Sequence, residues 1–173
     1  MELAYYKAVL CEGAAEEAIV NILLDHNCLV FKREELIEEK PLRIRKASTF
    51  ETKYLRKGFK DKISIIRILD SRNEKFKLSK AYQEKIDVIN IITAPEIEML
   101  IIINEDKYSE FCKSKKKPSE YCKTDLKMTD VKNSEFVYHY FSNVEQLIDA
   151  IKKYHSIHDN KGDFTLKDIL KTK

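Results

Sequence analysis

The chain has 173 residues, 43% of them hydrophobic and 35% charged, which suits one domain with a real core and excludes a wholly disordered chain. A formal charge of +3 is too small for a strongly basic nucleic-acid coat, so basic contacts must come from local patches. With only three glycines and three prolines, long irregular loops should be few. No apolar run approaches the ~18 residues of a membrane span, and the N-terminus lacks the basic-then-apolar pattern of a signal peptide. Four cysteines, none in CxxC spacing, fit reduced thiols in a cytoplasmic protein and imply no zinc site.

In chain order, "LAYYKAVLC" reads as a strand closing at Glu12-Gly13. Ala15, Ala18, Ile19, Ile22 and Leu23 then recur along one helical stripe that ends near His26, with Gly13 allowing the tight turn between strand and helix. "CLVF" is a short second strand, "KREELIEEK" a charged helix stopped by Pro41, and "LRIRK" an extended piece. "STFETKYLRKG" predicts a helix with Ser48 as cap, Glu51 completing a capping box and Gly58 ending it. "ISIIRILD" has the nearly continuous apolar character of a strand covered on both faces. A helix near Leu78 to Lys85 and a second buried strand, "DVINIIT", come next. "APEIEMLIIINEDKYSEFC" is read as helix because Pro95 opens it and acids follow in the first turn. "KSKKKPSEYCKTDLKMTDVKN" reads as two short helices or a lid, and "FVYHYF" as a strand or part of a helix. "VEQLIDAIKKYH" is an amphipathic helix with Val144, Leu147, Ile148 and Ile151 on one side, and the tail holds one helical turn.

Strands alternating with helices give an α/β fold, a mostly parallel central sheet with helices on both faces. Residues 1–173 form a single domain, with a core over about 4–104 and a helical or lid region over about 105–173. In such sheets the ligand site lies beyond the carboxyl ends of the strands. Glu12 ends the first strand and Asp70 a central one, so neighbouring strands would bring the two carboxylates together. Glu16 follows one helical turn after Glu12, and Glu98 sits among apolar residues where burial needs a compensating partner. Carboxylates without His or Cys suit a hard cation, Mg²⁺ or Mn²⁺. Each acid also has an ordinary alternative, as a helix cap or as a first-turn residue favoured by the helix dipole, and Glu17 and Glu96 are read that way.

Basic residues crowd into two stretches, Lys40 to Lys62 and Lys113 to Lys123. Arg43, Arg45, Lys46, Arg56, Arg72, Lys115 and Lys116 are the candidates for binding a phosphate backbone, against the alternative of solvated helix faces. His155 and His158 lack a third ligand and read as surface histidines at a helix end, and His139 reads as packing.

Three stretches resemble the Toprim domain. "AVLCEGAAEE" is similar to its first motif, an apolar strand ending in Glu-Gly with an acid three residues after the glycine, and "IIRILDSR" to its second, a strand ending in Asp-x-Asp. "APEIEMLIIINEDKYSEF" resembles the segment of the RloB-like Toprim family in which Pro95 and Glu98 match a proline and a glutamate and Asn104 stands at a histidine. Together they cover Glu12 to Asn104 in the family's order. The resemblance implies a Toprim-like (Rossmann-like) three-layer domain and Mg²⁺- or Mn²⁺-dependent cleavage of nucleic-acid phosphodiesters, as in nucleases related to OLD proteins. Glu12, Asp70 and Glu98 would be the catalytic acids, and Glu12, Glu16 and Asp70 the metal ligands. DNA or RNA is the implied partner and phage defence or restriction the implied context, with an ATPase partner and self-association left open. Arg72 stands where the family has its second aspartate, and Glu74 is the nearest substitute. That departure supports an alternative, a catalytically impaired Toprim-like binding or adaptor subunit. Another doubly wound α/β protein, with Asp70 as phosphoacceptor or ligand-binding acid, is the third reading.

Overall fold

A computed structural model describes residues 2–56, 62–93, 97–157 and 162–172. Pro95, Glu96, Gly58 and His158 lie outside the described residues, and with them the proposed helix start and stop signals at Pro95 and Gly58. The fold is α/β. Strands β1 (Tyr6–Cys11), β2 (Ile63–Leu69) and β3 (Ile86–Ile92) form a parallel three-stranded sheet in the order β1-β2-β3. β2 is central, and all seven of its residues are buried. That is what its nearly continuous apolar run demands, since a parallel strand between two neighbours is covered on both faces. β3 is an edge strand instead, with Asp87 and Asn90 exposed.

Side chains alternate across the sheet and create two cores. Val9, Cys11, Ile66, Ile68 and Ile91 join the larger one. It is closed by α1 (Ala14–Asp25), α4 (Met99–Asn104), α6 (Pro118–Thr124), α7 (Ser134–Tyr140) and α8 (Val144–Ile157), with α1 packed on α7 and α4 on α8. The predicted stripe on α1 is buried in full, as are Leu147, Ile148 and Ile151 on α8. Ala8, Leu10, Ile63 and Ile65 face the smaller core, which is closed by Leu42, Ala47, Phe50, Tyr54, Leu55 and Leu78. The C-terminal helices therefore build the main core and are not a separate lid over it.

Several expected elements take another form. "CLVF" is not a sheet strand: Leu29 makes one antiparallel bridge to Leu170, and Val30 N–H donates to Ile169 O at 2.9 Å, so the segment pairs with the tail. "KREELIEEK" is two short 3₁₀ turns, Arg33–Glu35 and Ile37–Glu39. Pairing of Leu36 with Lys7 on β1 holds this segment, the buried Lys7 ammonium bonds Glu35, and Glu38 and Glu39 adopt left-handed φ values of 57° and 51°. Leu42 likewise bridges to Leu10, which keeps "LRIRK" extended along β1. α2 (Ala47–Phe50) starts before Ser48 and continues as a π turn over Glu51–Leu55, so Ser48 is not its cap, and Glu51 Oε1 instead accepts from Ser79 N–H at 2.5 Å. α3 (Lys80–Gln83) is shorter than expected. Met99–Asn104 of the stretch expected to be helical does form a helix, α4, but Asp106, at φ 54°, breaks it from α5 (Tyr108–Ser114). "FVYHYF" is helical, within α7, and leaves His139 exposed rather than packed.

Candidate functional site

β1 and β2 run in register with Cys11 opposite Ile68, so Glu12 and Asp70 leave the sheet on adjacent strands at the same end. β3 reaches that end too: the N–H and the hydroxyl of Thr93 both donate to Leu69 O, at 2.7 and 2.9 Å. Beyond it, Glu98 caps the start of α4, where its carbonyl accepts from Ile101 and Ile102 N–H at 3.1 Å. The topology thus delivers acids from the ends of β1 and β2 and a third from the start of α4. Glu12, Asp70 and Glu98, joined by Glu16 from the first turn of α1, line a single pocket of about 220 Å³. Arg45 and Lys132 complete its polar wall.

The acids differ in their surroundings. Glu98 is 1% exposed, and its Oε1 lies 3.1 Å from the ammonium of Lys132. Glu12 Oε2 is buried and accepts no hydrogen bond among the described residues. Burial, then the neighbouring carboxylates of Asp70 and Glu74, push the Glu12 carboxyl up to about 7. Its neutral form can donate to Asp70, whereas its ionised form only repels it. Arg45 approaches from the other side: Nη2 donates to Glu12 O at 3.2 Å and stands 3.9 Å from Glu12 Oε1. The buried Glu16 carboxyl is also raised by burial and by Asp70, against the pull of Lys132 and of the Glu16 and Gly13 backbone amides. Those amides belong to the helix start, so the capping role of Glu16 and its place in the pocket coexist.

Gly13 has a different job from the one its sequence position suggests. Its φ of −124° and ψ of 176° are ordinary extended values, open to any residue. Space is the constraint, because a Cβ there would run into Glu16 Oε2. Gly13→Ala is expected to swing the Glu16 carboxylate out of the pocket and to change stability little, by about 1 kcal/mol or less. The ¹³C carboxyl resonance of Glu16 and a thermal melt check both halves.

Asn104 and Arg72 fall outside the pocket. Asn104 ends α4 and donates to Tyr140 O–H at 3.0 Å, while Arg72 Nε pairs with Asp163 at 2.5 Å. Among the other basic candidates, Arg43, Lys46, Arg56 and Lys115 are exposed, and Lys116 is engaged with Asp125 at 2.6 Å. None of these lines the acid pocket. His155 Nδ1 lies 3.0 Å from Thr165 Oγ1. Sequence reasoning missed two residues. Lys132 sits in a lysine-rich stretch where nothing distinguishes it from its neighbours. Arg67 was signalled by being the one basic residue inside "ISIIRILD": it is 2% exposed and bonds Glu74 Oε2 at 2.9 Å.

Among the described residues, no group of three or more His, Cys, Asp or Glu side chains is placed to hold a metal ion. No helix among them is long and apolar enough to cross a membrane. Comparison of the chain with protein-family models, curated proteins and solved structures gives no match.

Proposed function

We propose that the chain is a Toprim-like, RloB-related nuclease that cleaves nucleic-acid phosphodiesters with Mg²⁺ or Mn²⁺. The observation that carries this reading is the convergence on one pocket of Glu12 and Asp70, from the ends of two adjacent parallel strands, with Glu98 from the start of α4 and Glu16 from the first turn of α1. The donor set fits a hard cation, since it offers only carboxylate oxygens and one of them, Glu12 Oε2, is buried with its hydrogen-bonding capacity unused among the described residues. Glu12, Asp70 and Glu16 would hold the ion. A bound divalent cation supplies Lewis acidity and lowers the pKa of an attacking water.

The chain's own groups supply the rest. Glu12 would act as a ligand of the ion or, in place of that, as the acid/base, a role for which a carboxyl raised to about 7 is suited. Asp70 and Glu98 fix the charge around it, and Arg45 reaches over the pocket where a phosphate oxygen would lie. Arg43, Lys46 and Arg56 extend a basic path for the strand, with Arg72, Lys115 and Lys116 as outlying contacts. Because Arg72 is committed to Asp163, the residue at the family's second-aspartate position does not put a cation into the pocket. Glu74, paired with Arg67 and adjacent to Glu12, is the acid nearest to the missing one. A phage-defence or restriction role rests on the resemblance alone.

A second reading, a non-cleaving nucleic-acid-binding or adaptor subunit, is favoured by the absence of a preformed metal cluster among the described residues and by Lys132 already neutralising Glu98. One experiment separates the two. The wild type and a Glu12→Gln, Asp70→Asn double variant are titrated with Mn²⁺ by calorimetry and assayed on single- and double-stranded DNA and on tRNA. Mn²⁺ binding and cleavage by the wild type alone support the nuclease. Identical background cleavage with retained nucleic-acid binding supports the adaptor.

A further inference from the structure

We propose that Lys132 is a resident counter-cation of the acid pocket, which gives way when a divalent ion binds; this rests on the metal-dependent reading above. The ammonium of Lys132 stands 3.1 Å from Glu98 Oε1, yet the lysine side chain is 61% exposed and the glutamate 1%. A long side chain thus reaches inward from the surface to neutralise a carboxylate that water does not solvate. Leaving that carboxylate ionised and uncompensated would be costly.

The base of this arm is fixed. Val131 is buried, and Asn133 caps α7 by accepting Glu135 N–H at 2.8 Å, so the backbone on both sides of Lys132 is anchored. Its side chain is the movable part. Lys132 forms the wall between the acid pocket and an adjoining groove, and that groove carries Glu120 and Asp130. An ammonium displaced from Glu98 therefore has carboxylates to turn towards. A divalent cation held by Glu12, Asp70 and Glu16 would share one pocket with the Lys132 ammonium and repel it. By neutralising Glu98 there, the lysine weakens metal binding.

The test is Mn²⁺ titration of the full chain by calorimetry, comparing wild type with Lys132→Met, Lys132→Gln and Lys132→Arg, and checking folding by far-UV circular dichroism. The two neutral variants should bind Mn²⁺ roughly three- to tenfold more tightly than the wild type, and Lys132→Arg about as the wild type does. In chelator the neutral variants should melt at lower temperature than the wild type, and Mn²⁺ should close the gap. Binding by Lys132→Met when the wild type shows none also supports the exchange. If the wild type binds Mn²⁺ and both neutral variants bind it equally or more weakly, the exchange is overturned while the metal reading stands. If neither wild type nor neutral variants bind, both fall together.

Discussion

Glu12→Gln is expected to gain stability at neutral pH and, if the proposed nuclease reading holds, to lose the metal-dependent activity. For the activity, replacing an anionic oxygen donor and proton acceptor with an amide should lower the rate by about 100-fold or more. The stability effect follows from the raised carboxyl. Unfolded, Glu12 titrates at its ordinary 4.5, whereas folded it titrates near 7 because of burial, Asp70 and Glu74. The folded state therefore binds the proton more tightly. Below pH 4.5 both states are protonated and no penalty exists. Between 4.5 and 7 stability falls as pH rises, and above 7 the full cost is present. With the side chain 13% exposed and its carboxylate neighbours sharing the strain, that cost is about 1–3 kcal/mol. Urea denaturation at pH 4 and pH 8 measures it: the glutamine variant should match wild type at the lower pH and exceed it at the higher. A variant less stable than wild type at pH 8 would show that the Glu12 carboxylate is held favourably. Saturating Mn²⁺ should stabilise the wild type and leave the variant unchanged.

Arg67→Met is expected to destabilise the fold more than any substitution at the rim of the pocket. Arg67 stands in the middle of the central strand, opposite Leu10 on one side and Asn90 on the other. Its guanidinium bonds Glu74 at 2.9 Å and Asn90 Oδ1 at 3.3 Å and lies 4.6 Å from the centre of the Phe76 ring. Methionine would fill much of the volume but abandon Glu74 beside Glu12, adding an uncompensated charge to a crowded group of acids. Breaking a buried pair from one side costs about 3–5 kcal/mol, and the 29% exposure of Glu74 places this case at about 2–4 kcal/mol. Arg67→Lys should recover only part, because a point charge cannot bond Glu74 and Asn90 together while lying on Phe76. Adding Glu74→Gln to Arg67→Met should restore some of the loss, and the double-mutant cycle by urea denaturation gives the coupling directly. Additive losses would mean that the pair does not interact.

Much of the sheet and of the acid set was legible because local pattern and tertiary demand agree there. The nearly continuous apolar run of Ile63–Leu69 and the Ala15-to-Leu23 stripe have one natural fate each, and the acids that follow strands are placed by parallel topology. Between Cys28 and Lys40 the pattern misleads. "KREELIEEK" has helical composition, but backbone pairing of Leu36 and Leu42 with β1, and the need of buried Lys7 for Glu35, outweigh a modest helix preference. Lys132 was illegible for another reason. Its role comes from the fold of the segment before α7, which sequence spacing does not encode. Arg67 was visible as an anomaly, though not its partner.

A small parallel sheet has two open rims, each a row of amide and carbonyl groups able to recruit a foreign strand. Here both are blunted by short pieces of the same chain. Leu36 and Leu42 occupy the free side of β1, and Phe164, whose carbonyl accepts Ile92 N–H at 2.7 Å, occupies that of β3 beside exposed Asp87 and Asn90. Edge-to-edge growth of the sheet into a fibre or a strand-swapped assembly would first have to peel these segments away. These short edge-covering pieces thus serve as guards against aggregation.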